Sequence, residues 1–83
     1  MKLPTITQTM FWLKTHGWFE ENAFLFSTVL TKGFTYDAVI LPRYLDNEED
    51  KGRLIYALKV IARVERMEYV TLVKEMAAED NYA

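Results

Sequence analysis

The sequence predicts a small α+β domain: an N-terminal helix, a β-hairpin, and a long C-terminal helix that is either continuous or broken in two near Arg66–Glu68. Three observations carry this expectation. Apolar residues recur at helical spacing near the N-terminus and again from Arg53 onward. Two runs rich in aromatic and β-branched residues flank Lys32-Gly33. A length of 83 residues bounds the chain, residues 1–83, to one domain around one core.

The first helix is expected over about residues 5–16. Thr5-Ile6-Thr7-Gln8 has capping-box spacing, in which the Thr hydroxyl and Gln amide satisfy each other's unpaired backbone donors. Ile6, Met10 and Leu13 recur on one face, with Phe11 and Trp12 widening it, and Gly17 is placed to end the helix in a left-handed cap. Trp18 and Phe19 then fold back onto the helix, and Glu20-Glu21-Asn22 reads as a turn.

The strands are expected at Ala23 to Thr31 and Phe34 to Leu41, joined at Lys32-Gly33 with Gly33 free to take positive φ. A two-residue loop would set Val29 opposite Tyr36, Ser27 opposite Ala38 and Leu25 opposite Ile40. Phe24, Phe26, Leu30, Val39 and Leu41 would share the other side with Thr28, Thr35 and Asp37. Both sides are substantially apolar, so both want cover. Pro42 closes the second strand because it has no N–H to give a ladder.

Asp46-Asn47-Glu48-Glu49 signals a further helix start, with acids favourably placed in the first turn. Gly52 disfavours a helix interior by about 1 kcal/mol, which argues for a start near it. From Arg53 to Val64 the apolar residues cover about 220° of the helical wheel, too broad for one neighbour. Glu65 and Glu68 fall in the middle of that stripe before Tyr69, Leu72, Val73 and Met76 resume it, which favours a break between them.

Composition narrows the function classes. Half of the residues (51%) are apolar and twelve are aromatic (two Trp, five Tyr, five Phe), against no cysteine and a single histidine. Disulfides and thiolate metal sites are excluded, and no metal or cofactor is expected. Net charge is −2 and no segment forms a basic stripe, which disfavours nucleic acid. No apolar run is long enough to span a bilayer, so a cytoplasmic protein is expected.

Chemistry-bearing groups are scattered. His16 lacks an identifiable partner and reads as a cation at a helix end. Asp37 reads as a charge that blunts a strand edge. The acidic clusters Glu20-Glu21 and Glu48-Glu49-Asp50 lack calcium-loop spacing, and the three glycines lie too far apart for a phosphate loop. An enzyme is not expected.

The segment from Tyr36 to Met76, half of the chain, partially resembles a ribbon-helix-helix DNA-binding domain. The matching features are a strand ending in Leu41-Pro42, Ala62-Arg63 late in the first helix, and Leu72-Val73-Lys74-Glu75 in the second. The resemblance implies a DNA-binding transcriptional regulator that pairs its strand across a dimer. Its groove-facing strand positions would be Tyr36, Ala38 and Ile40, which hold no donor set for base edges.

The reading the residues favour is a non-enzymatic protein-binding module that self-associates, in the style of a phage or mobile-element inhibitor. The excess of apolar surface over one small core motivates it. Trp12, Trp18, Phe24, Phe26 and Tyr36 are the expected partner-binding residues, since so many aromatics are hard to bury together in so small a domain.

Overall fold

A computed structural model describes residues 2–33 and 37–78. The α+β class holds, but the β layer is a three-stranded antiparallel sheet rather than a hairpin. In chain order the elements are α1 (Ile6–Thr15), β1 (Trp18–Ala23), β2 (Ser27–Lys32), β3 (Ala38–Pro42), α2 (Glu48–Glu65) and α3 (Tyr69–Ala77).

Local signals set both ends of α1. The Gln8 N–H donates to Thr5 Oγ1 at 3.0 Å, and the Thr5 N–H donates to Gln8 Oε1 at 2.7 Å, closing the capping box. Gln8 also donates through Nε2 to the Ala77 carbonyl at 3.1 Å, which ties the start of α1 to the end of α3. Gly17, at φ +89, turns the chain from α1 into β1.

The unexpected strand is β1. Glu20-Glu21-Asn22 lies within it and is not a turn. Its polar residues suit an edge strand, one side of which water can satisfy, and a register shift between Glu20 and Asn22 further blunts that edge. The chain reverses instead at Phe24–Phe26, where the Phe24 N–H donates to the Ser27 carbonyl at 2.7 Å. The strand expected from Ala23 therefore begins only at Ser27.

Gly33 takes positive φ as expected, at +47, but the loop after β2 is longer than two residues. Val29 pairs with Ile40 rather than Tyr36, and Leu30 with Val39. Phe34, Thr35 and Tyr36 lie outside the described residues. Because the slip is by an even number of residues, each side chain keeps its expected face. Thr28, Leu30, Val39 and Leu41 are buried on one face beneath the helices. On the other, Ile40 and Ala38 are exposed and Val29 and Thr31 half-buried, so among the described residues helices cover one of the two apolar faces.

The C-terminal helix is broken in two. Asn47 caps α2 through Oδ1, which accepts the Asp50 N–H at 2.8 Å, and Glu48, Glu49 and Asp50 fill the first turn. That cap outweighs Gly52, which lies inside the helix rather than at its start. At the other end Arg66 adopts the left-handed conformation, φ 56 and ψ 44. Its N–H donates to the Arg63 carbonyl at 3.2 Å and the Met67 N–H to the Ala62 carbonyl at 2.9 Å. These are the two bonds of a Schellman cap, here made without glycine. The turn lets α3 bury Leu72, Val73 and Met76, a face rotated from that of α2. The breadth of the α2 stripe follows from its two neighbours, β3 and α3.

One core joins both layers. Leu30, Val39 and Leu41 from the sheet meet Leu13, Leu54, Leu58, Ile61 and Leu72 from the helices, all buried. An ion pair between Lys32 and Glu65 fastens the end of β2 to the end of α2.

Candidate functional site

No group of three or more metal-ligating side chains occurs among the described residues. His16 stacks on Trp12, with ring centroids 3.7 Å apart and planes within 8°, and its Nδ1 lies 2.8 Å from the Trp12 carbonyl oxygen. The ring thus lies at the helix end, against one of the last carbonyls of α1. The acids around the start of α2 are engaged locally. Asp50 accepts the Asp46 N–H at 3.3 Å, and Arg53 meets Glu49 at 2.6 Å and Asp50 at 3.7 Å. They form a cap network at the start of α2.

Exposed apolar side chains gather elsewhere, at one end of the sheet. At the β1–β2 turn Phe24, Leu25 and Phe26 stand in succession at 54%, 76% and 71% exposure. The turn is positioned by the sheet: the Arg43 N–H donates to the Phe26 carbonyl at 3.0 Å, extending the β2–β3 ladder one pair beyond the strands. This brings Tyr44 beside Phe26, and the two rings border a cleft of about 500 Å³ with Asp46, Asn47, Asp50 and Arg53. The apex is thus apolar at its tip and charged at its base, the arrangement of a contact patch with a polar rim. Phe19 and Ile40 add exposed apolar surface on β1 and β3.

Of the five expected partner-binding residues, the structure exposes Phe24 and Phe26 and places them together. Trp12 and Trp18, at 1% and 2% exposure, are core residues, and neither offers surface to a partner. Trp12 projects from the inner face of α1 and Trp18 opens β1 directly after the Gly17 turn, so both point into the space between helix and sheet. Their indole N–H groups find no acceptor among the described residues, a cost of about 1–3 kcal/mol each that ring burial offsets. Tyr36 lies outside the described residues. Leu25 and Tyr44 join Phe24 and Phe26 at the apex: alternation in the sequence places Leu25 on a strand face, and Tyr44 reaches the apex only through the β2–β3 register, a long-range feature.

The fold and its open surfaces define a small α+β domain with no helix, among the described residues, long and apolar enough to cross a membrane. No protein-family model matches the chain, and no curated protein or solved structure is significantly similar to it.

Proposed function

We propose that this chain is a non-enzymatic, cytoplasmic protein-binding module that self-associates and docks a partner protein through its β1–β2 apex, modulating or inhibiting that partner. The observation that carries the reading is the run Phe24-Leu25-Phe26, three consecutive large apolar side chains mostly exposed at a hydrogen-bonded turn. Isolated exposed apolar residues are ordinary, whereas contiguous ones beside a polar rim are the usual anchors of protein interfaces. A small, cysteine-free, aromatic-rich and acidic chain also suits a phage or mobile-element inhibitor, which acts by occupying a surface rather than by chemistry.

The test compares proteins from the native cell retained by the immobilised wild-type chain with those retained by the double variant Phe24→Ser, Phe26→Ser. A protein held by the wild type and lost by the folded variant supports the reading. Identical retention by both removes it.

The second reading, a ribbon-helix-helix regulator, draws support from the order β3, α2, α3. It is the weaker one because the outward strand positions Ala38 and Ile40 carry no hydrogen-bonding side chain for base edges. Binding to duplex DNA that falls steeply as salt is raised would favour it.

A further inference from the structure

A groove of about 620 Å³ runs between β3 and α2, with Ala38 and Ile40 on one side and Gly52, Tyr56, Ala57 and Val60 on the other. We infer that this groove receives a second copy of the chain, related by a two-fold axis, in a dimer that pairs β3 with β3 and α2 with α2, each antiparallel. The inference rests on the self-association in the reading above and assigns it a surface distinct from the apex.

The strand contributes an open edge. Since the Arg43 N–H bonds to the Phe26 carbonyl, alternate pairs along the ladder share bonds, so Val39 and Leu41 direct their backbone groups to β2. Ala38 and Ile40 direct theirs away from it, toward an edge with which no described strand pairs. Pro42 has the same outward parity, where its missing N–H takes nothing from the β2 ladder. With the axis at Ile40, the two Ile40 residues exchange N–H···O bonds. Each Ala38 N–H then donates to the Pro42 carbonyl of the second copy, satisfying groups that edge strands otherwise leave bare.

The helix supplies the reason for choosing a second copy over any other occupant. Glu49, Gly52, Tyr56, Val60 and Arg63 fall on one stripe of α2 at 100° per residue. The stripe is complementary to itself when reversed about Tyr56. Gly52 then meets Val60 of the second copy, a small residue against a larger one, and Glu49 meets Arg63 of the second copy, opposite charge against opposite charge. A Cβ at Gly52 would find nothing within 4 Å in the isolated chain, so space for the facing valine exists. Glu49 already holds Arg53 at 2.6 Å, so an incoming guanidinium from Arg63 would complete a network rather than meet a bare carboxylate. Isologous interfaces require this self-complementarity, and a foreign surface would have no reason to match it.

Sedimentation equilibrium on the full chain tests the geometry, with circular dichroism confirming that each variant folds. The wild type is expected to be a dimer at micromolar concentration. Glu49→Arg and Arg63→Glu should each weaken it on the order of tenfold, and the two together should restore it to near the wild-type value. Gly52→Leu, which fills the space opposite Val60, should produce a folded monomer, while Phe24→Ser, Phe26→Ser should leave the dimer intact. A wild type that stays monomeric up to millimolar concentration overturns both this inference and self-association. A dimer indifferent to the charge reversals and to Gly52→Leu overturns the groove alone.

Discussion

Arg66 sits in a conformation that costs an L-residue with a side chain about 1–2 kcal/mol, because its Cβ crowds the following carbonyl. The Schellman bonds around it and the contact of Met67 with the core hold it there. Arg66→Gly relieves the crowding but frees the unfolded chain, and the first effect is the larger. The variant should therefore gain up to about 1 kcal/mol, read as a higher urea midpoint at unchanged slope. A loss would mean that the Arg66 side chain itself anchors the turn. His16 gives the contrasting case. It contributes one stacked ring and one contact to a helix-end carbonyl, from a residue that is itself exposed. His16→Ala should cost less than about 1 kcal/mol and leave partner retention unchanged; a lost partner with an intact fold would reopen a switch or catalytic role.

Among the helices, α2 contributes the most to the core, burying Leu54, Ala57, Leu58, Ile61 and Ala62, and packs on both β3 and α3. Leu58 and Ile61 are fully buried at the middle of its stripe. Truncation of either to Ala should cost about 2–5 kcal/mol, enough to unfold much of a domain this small, and thermal melting measures it. A cost below about 1 kcal/mol would mean the helix face is not the core. The helix ends were legible in the sequence because their causes are local: Thr5 with Gln8, Gly17, and Asn47 before three acids. The break at Arg66 was visible only as a rotation of the apolar stripe, since no Gly or Pro marks it. β1 was not legible, because an edge strand facing water on one side needs no apolar alternation, and Glu20-Glu21-Asn22 resembles a turn until its neighbour strand is known. The candidate site was half legible for the same reason. The exposure of Phe24 and Phe26 follows from the turn that carries them, whereas the burial of Trp12 and Trp18 follows from how α1 closes over the sheet.

Across the whole molecule, apolar surface is distributed unevenly. Among the described residues, one face of the sheet is sealed by helices, while the apex, the outer sheet face and the β3–α2 groove are open. A chain selected for stability alone would place polar residues at 24–26, where a turn tolerates almost any side chain and exposed Phe and Leu add nothing to the core. Under the proposed function their presence at the tip serves contact rather than folding, and this separates two measurements on one substitution. Phe26→Ser removes a ring that is 71% exposed, so its unfolding free energy should stay within about 0.5 kcal/mol of wild type. Phe26 also holds its backbone carbonyl to the Arg43 N–H, a bond that serine preserves, so the β2–β3 register should be unchanged in amide exchange. Partner retention should nonetheless fall, because the ring belongs to the exposed apolar tip and borders the Tyr44 cleft. If Phe26→Ser instead lowers the unfolding midpoint in step with the loss of partner, the apex is part of the stabilising core, and the contact surface lies on the helices.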